Sequence, residues 1–301
     1  MNVIKYLHNY LIKNKYNIGF VQNDIKSILN GDPLNIKWLK HSFRDRWFAD
    51  PFILEVNNKE ITILAEEWYY PINKGRISKL VIDKKDYKLK YIKIVLELDT
   101  HLSFPAIERI NDNIYIHPEN SLSGYHKIYK YNKQKDIFEE HSTLCNLPLT
   151  DSICTQLFGS KLMFSTKLPD ANGNVLGIYE WDDDKREYKF KEEIILNDNI
   201  ARMAGNFFTF NGCIYRPAQV CIKSYGDAVS IQQISYNNQW TIKEIIRLYS
   251  PNKKLDLGFH TFNIYDGNIV VDALGYRHPF VCHLILLIYR LLKLRETKKD
   301  S

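Results

Sequence analysis

The sequence is short of the features that usually assign a protein quickly. Its five cysteines include no CxxC pair, so zinc-ribbon spacing is absent, and an odd, unpatterned set argues against a disulfide framework and for a reducing compartment. Neither GxGxxG nor GxxxxGK[ST] occurs, which removes the two glycine-rich loops that cradle nucleotide phosphates. Nothing has the spacing of metal ligands, and the residues imply no cofactor. The apolar stretch VCHLILLIYRLLKL at 281–294 has 14 residues, too few for the roughly 20 that span a bilayer. Lys5, Lys13 and Lys15 interrupt the apolar residues at the start, so the continuous core of a signal peptide is missing and a cytoplasmic location is expected. The net charge of +6 is spread along the chain, which gives no reason to expect nucleic acid.

With 45% hydrophobic and 25% charged residues the chain is of globular composition, not disordered or low in complexity. Aromatic residues reach 13%, which favours strands, where flat rings pack well on a pleated surface, and suits sugar binding. Three regions follow. Residues 1–44 read as an N-terminal helical arm, from the spacing of Ile4, Leu7, Leu11 and Ile12, with a turn at Gly31-Asp32-Pro33. Residues 45–280 read as short apolar runs broken by Asn, Asp and Gly, the pattern of many strands and tight turns. Residues 281–301 read as a basic amphipathic helix, with Arg290, Lys293, Arg295, Lys298 and Lys299 in or after the apolar run. Such a helix either packs on the domain or lies at an anionic membrane surface, making the protein peripheral on the inner face.

The middle region repeats. Five hairpins align, with turns at Asn58, Asn113, Gly159, Gly212 and Gly267, spaced 46 to 55 residues apart. A period near 50 is that of one four-stranded propeller blade, and five blades need roughly 250 residues. The expected fold is therefore an all-β five-bladed propeller; a sandwich or open sheet would explain the strands but not the period.

In a propeller the inner strands converge on the central axis, so equivalent positions in the repeat share one mouth. The inner strands begin near Asp50, Ser103, Asp151, Arg202 and His260, a more polar ring than buried strand starts would carry without a function. The second strands end near Glu66 and Glu67, Glu119 and Asn120, Thr166, Arg216 and Gln219, and Asp272, which add to the site where those ends curl toward the same mouth. Each has a structural reading beside the functional one. Asp50 before Pro51 and Asp151 in LTDS are turn-forming acids, Glu119 is a solvated loop acid, His260 a core histidine, and the arginines partners of buried carboxylates.

WFADPF, HLSFP with HPEN, LTDS, and ARMAGNFF with NGCIYRPAQVCIKSYGDAV resemble the N-terminal domain of plant glucosamine inositolphosphorylceramide transferases and its bacterial relatives, over most of residues 45–275. The resemblance implies a five-bladed propeller akin to furanosidase glycosidases and a role in assembling glycolipids or surface polysaccharides. In those glycosidases an Asp opens blade one, matched by Asp50, another lies in blade three, matched in place by Asp151, and a Glu acid usually lies in blade four. Here Ala201-Arg202-Met203 stands in blade four, although glycoside hydrolysis uses two carboxyl groups. The leading expectation is thus a glycosyltransferase using a phosphorylated sugar donor and a glycan or glycolipid acceptor. Asp50 would be base or nucleophile, Asp151 would position it, and Glu119 or His260 would supply the proton. Arg202 and Arg216 would hold the anion, with Gln219, Tyr225, Ser103 and Glu67 completing the substrate site. A furanosidase-type hydrolase and a non-catalytic glycan-recognition module are the alternatives.

Overall fold

A computed structural model of the chain describes residues 14–278, 280–282, 284 and 286–288. Two strands come first, β1 (Asn14–Val21) and β2 (Ile36–Trp38), with the short helix α1 (Ile25–Leu29) between them. Blade one is β3 (Arg46–Val56), β4 (Glu60–Tyr69), β5 (Lys74–Asp83) and β6 (Leu89–Leu96). Blade two is β7 (Ser103–Ile110), β8 (Asn113–Glu119), β9 (His126–Asn132) and β10 (Ile137–Cys145). Blade three is β11 (Leu149–Leu157), β12 (Ser160–Lys167), β13 (Val175–Asp182) and β14 (Glu187–Ile195). Blade four is β15 (Phe208–Phe210), β16 (Cys213–Val220), β17 (Ala228–Tyr236) and β18 (Trp240–Leu248). The chain ends its strands with β19 (Phe262–Tyr265) and β20 (Asn268–Tyr276).

The fold is a five-bladed β-propeller, each blade a four-stranded antiparallel sheet. Local chemistry sets the repeat. Four of the inner hairpins turn on two consecutive residues with positive φ, namely Asn111-Asp112, Phe158-Gly159, Asn211-Gly212 and Asp266-Gly267. That is the requirement of the two-residue turn whose twist matches its strands. In blade one the Asn57 side chain accepts from the N–H groups of Lys59 and Glu60, both at 2.8 Å. Apolar side chains of neighbouring blades meet in continuous clusters, as where Phe52 of blade one packs edge-on against Phe104 of blade two, 5.0 Å between centroids.

The fifth blade closes the ring with the two ends of the sequence, its order being β19-β20-β1-β2. Eight residues of β1 pair with β20, from Asn14 opposite Tyr276 to Val21 opposite Ile269. The expected helical arm is therefore corrected from Asn14 onward: Tyr16, Ile18 and Phe20 alternate at period two and join the sheet. Gly19 has no room for a side chain, because a Cβ there would lie 2.5 Å from Ile36 and 3.0 Å from Val271. Ile4, Leu7, Leu11 and Ile12 lie outside the described residues, as do the basic residues from Arg290 onward. Residues 280–282, 284 and 286–288 are helical, and no helix among the described residues is long and apolar enough to cross a membrane.

Candidate functional site

The inner strands of blades one, two and three break register at equivalent places near their starts, between Ala49 and Phe52, Ser103 and Ala106, and Thr150 and Ile153. Within these bulges Asp50, Phe104 and Asp151 have φ of 49°, 44° and 45°. Bulges re-aim side chains, and non-glycine residues in the left-handed region carry strain that concentrates at functional sites. The residue in phase with the two aspartates in blade two is thus Phe104. Ser103 sits one position earlier, opposite Glu119, in the place that Ala49 and Thr150 hold in blades one and three.

Two polar clusters meet at this end of the axis. In the first, His260 Nδ1 lies 2.7 Å from Asp272 Oδ1 and its Nε2 3.3 Å from Asp50 Oδ1. Asp272 also accepts from the Asp50 N–H at 2.8 Å, so it latches blade five to blade one. Asp50 Oδ2 accepts from the Phe104 N–H at 3.1 Å, continuing the chain to blade two. In the second cluster Arg202 donates from Nε to Asp151 Oδ2 at 2.6 Å and from Nη2 to Glu119 Oε2 at 2.8 Å. Gln219 Nε2 donates to the same Asp151 oxygen at 2.5 Å.

Aromatic rings complete the mouth. Tyr16 of β1 stacks on His260 at 4.7 Å, and Tyr225, 40% exposed, meets the same imidazole edge-on at 5.4 Å. Arg202 lies over the Tyr225 ring at 5.1 Å. The loop carrying Tyr225 reaches His260 because Gly226, with φ of 62°, leaves space where a Cβ would come within 2.6 Å of the His260 Cβ.

The electrostatics separate the carboxyl groups. Burial raises Asp50 to about 7; Asp272 and Asp151 add to that and His260 opposes it. Burial likewise raises Glu119 to about 8, with Arg202 opposing and Asp151 reinforcing. Burial raises Asp151 too, but Arg202 and a hydrogen bond from Glu119 outweigh it and hold Asp151 below its ordinary value. Burial lowers His260, yet Asp272 and Asp50 outweigh it and raise the imidazole to about 9. Burial, then the charge of Asp50, pushes Glu66 well up. Near neutral pH the mouth therefore holds a carboxylate fixed by Arg202, a protonated Glu119, an imidazolium, and an aspartate poised at its titration point. Pairs of acids driven apart in this way can divide acid and base roles.

Of the residues anticipated from the sequence, Asp50, Asp151, Glu119, Arg202, Gln219, Tyr225 and His260 come together. Two lie apart. Arg216 is fully buried and spent on Gln232 Oε1 at 2.6 Å, Met203 Sδ at 3.1 Å and the carbonyls of Ile200 and Ala201. Glu67 is fully buried between Arg46 at 2.6 Å and Arg76 at 3.0 Å, with Ser78 also bonded to it. Period-two alternation gives the reason: Glu66 and Glu67 must face opposite ways, as must Arg216 and Gln219. Tyr16 was missed because only the closing of the last blade brings it in. Asp50, His260 and Asp272 present ligand atoms within 4.8 Å of one another, as do Glu108, His117 and Cys154 on three different strands. Such sets have no spacing to read in a sequence.

A family model described as glucosamine inositolphosphorylceramide transferase 1, N-terminal, matches residues 36–260. Among full-length relatives, glucosamine inositolphosphorylceramide transferase 1 of Oryza sativa subsp. indica is 24% identical over 213 residues, 67% of this chain and 28% of that one. The Arabidopsis thaliana protein of the same name is 23% identical over 211 residues, 66% and 27% of the two chains. The chain thus spans little more than a quarter of these relatives. Solved structures of similar fold include RS223 β-xylosidase, with TM-score 0.52 and 11% identity over 77% of this chain and 92% of the other. The α-L-arabinofuranosidase from Lactobacillus brevis has TM-score 0.52 and 12% identity over 76% and 90%.

Proposed function

The chain belongs to the family of the N-terminal domain of glucosamine inositolphosphorylceramide transferases, and from that premise we propose that its axial mouth is the catalytic centre of a glycosyl-transferring propeller acting on a glycan or glycolipid acceptor. The observation that carries this reading is the division of labour among the buried acids: Asp50 raised to about 7 beside His260, Glu119 raised to about 8, and Asp151 held ionised by Arg202.

In this reading Asp50 accepts the proton of the attacking hydroxyl, and its position near its own titration point suits a base at neutral pH. Glu119 gives a proton to the leaving oxygen, burial having kept it protonated. Asp151 stays charged and, through Arg202, fixes the Glu119 carboxyl in place. His260, held by Asp272, sets the charge around Asp50. Tyr16 and Tyr225 offer rings against which a sugar face can pack. The names of the plant relatives, which specify an inositolphosphorylceramide, support a glycolipid acceptor.

The test is turnover of radiolabelled nucleotide sugars and sugar phosphates with glycolipid acceptors, by the wild type and Asp50→Asn. Label entering the acceptor, lost in Asp50→Asn, supports transfer. Label released only as free sugar supports the hydrolase. The double grip of Arg202 on two buried acids favours a second reading, glycan recognition without chemistry, and sugar binding with no turnover of any donor would establish it.

A further inference from the structure

The arginines expected to hold an anion are committed elsewhere, yet a cationic pocket opens beside the mouth. A cavity of about 740 Å³ lies between β1, the segment from Leu39 to Trp47, and the end of β20, and among the described residues no Asp or Glu lines it. Lys15, Lys40, Arg44 and Arg277 line it, and among the described residues none of the four has a carboxylate within salt-bridge distance, whereas Arg46 is consumed by Asp45 and Glu67. Arg277 is nonetheless held in place, donating to the Arg44 carbonyl at 2.7 Å with its guanidinium 5.0 Å from the Tyr70 ring centre. The unbalanced charge is felt within the wall: burial, then Lys15 and Arg46, push His41 below its ordinary value.

The pocket and the axial mouth share a wall. Tyr16 lines the cavity and stacks on His260, and Trp47, 5.1 Å from Tyr16, lines it too. His278 also lines the cavity, and the helical residues that follow it in the chain include the exposed Phe280 (83%), Leu284 (58%) and Leu287 (55%).

We propose that this pocket binds a phosphate ester of the molecule that reacts at the mouth. Of the four cations only Lys40 feels a nearby carboxylate among the described residues, that of Asp86, and without a salt bridge to it; the charge left over exceeds what a single carboxylate would neutralise, whereas a phosphate monoester carries close to two negative charges, and guanidinium forks match its oxygens. The exposed apolar residues that follow His278 in the chain point to a phosphate borne by a lipid. The assignment takes from the functional reading above only that a reaction occurs next door.

Binding is measured on the full chain, without turnover, with two probes: glycerol phosphate by calorimetry, and vesicles of phosphatidylcholine and phosphatidic acid, a lipid phosphate monoester, in equal parts by flotation. The expected result is binding that weakens with salt and falls at least tenfold in the double variant Lys40→Ala/Arg44→Ala, whose residues are exposed and whose fold should survive. Binding to vesicles alone assigns the phosphate to a lipid; binding to glycerol phosphate alone assigns it to a soluble ester. Failure of the wild type to bind either probe, binding unchanged in the double variant, or equal displacement by acetate would each overturn the proposal. Asp50→Asn should bind both probes as the wild type does, so loss of the pocket and loss of the catalytic reading are read separately.

Discussion

Asp50 and Asp151 occupy equivalent places in blades one and three, on the same kind of bulge and with φ of 49° and 45°. Their exposures, 4% and 2%, hardly differ. Yet Asp50 is raised to about 7 and Asp151 is lowered. Burial alone would raise both. What separates them is the neighbouring blade: blade four brings Arg202 to Asp151, while blade five brings Asp50 an imidazole that shares its charge with Asp272. A repeated backbone thus supplies repeated positions, and the chemistry at each is decided across the interface between blades.

The sharpest way to break this comparison is to remove the cation. Arg202→Met leaves two buried acids, Asp151 and Glu119, without a partner, and breaking a buried pair from one side costs about 3–5 kcal/mol. Urea unfolding at pH 7 should register a loss of that size. Without Arg202 the unfavourable charged form of Asp151 accumulates as pH rises, so the deficit should shrink toward pH 4. A loss below about 1 kcal/mol would mean that Arg202 does not hold Asp151 ionised.

Exchanging each aspartate sharpens it further. Asp50→Asn should cut turnover by about 10²–10⁴, the usual worth of a general base, while circular dichroism and the melting transition stay close to wild type. Asp151→Asn should lower both, since it also strips Arg202 and Gln219 of their shared acceptor. Equal effects on turnover and stability in the two variants would erase the proposed difference.

The pH dependence of turnover gives a smaller but more specific test. Asp50 must be ionised and Glu119 protonated, so the profile should fall below about 7 and again above about 8, with both limbs belonging to the coupled set. Glu119→Gln should lower the rate and abolish the alkaline limb. An alkaline limb that persists in that variant would move the acid role to another group.

Much of this was legible in the sequence. The turn residues fell at a regular period, and counting back from them placed Asp50, Asp151, Arg202 and His260 at one mouth. What was hidden depends chiefly on long-range pairing. β1 pairs with β20 some 250 residues later in the chain, so no local pattern could show that Tyr16 reaches His260 or that Lys15 and Arg277 share a pocket. Blade two carries the same bulge as blades one and three, with Ser103 in the place of Ala49 and Thr150; the true equivalent of the aspartates is the apolar Phe104, which a search for polar strand starts passes over in favour of Ser103. Arg216 and Glu67 were legible in principle, because strict alternation turns each away from the neighbour that faces the mouth.

The smallest expected effect concerns the latch. Asp272 raises His260, and a histidine whose folded value lies at about 9 above an unfolded 6.5 contributes stability that is whole below 6.5 and lost as pH climbs through 9. Asp50, raised from 3.8 to about 7, adds a fall of the same sign across its own window. Asp272→Asn should therefore do two separable things. It weakens the contacts to the N–H groups of Asp50, His260 and Thr261, a loss of roughly 1–3 kcal/mol at every pH. It also flattens the decline in stability between pH 6.5 and 9, because the charge that favoured the imidazolium is gone. Unfolding free energies taken across that window distinguish the two: a uniform drop with an unchanged slope would make Asp272 only a backbone clamp, whereas a flattened slope makes it the residue that keeps His260 charged beside Asp50.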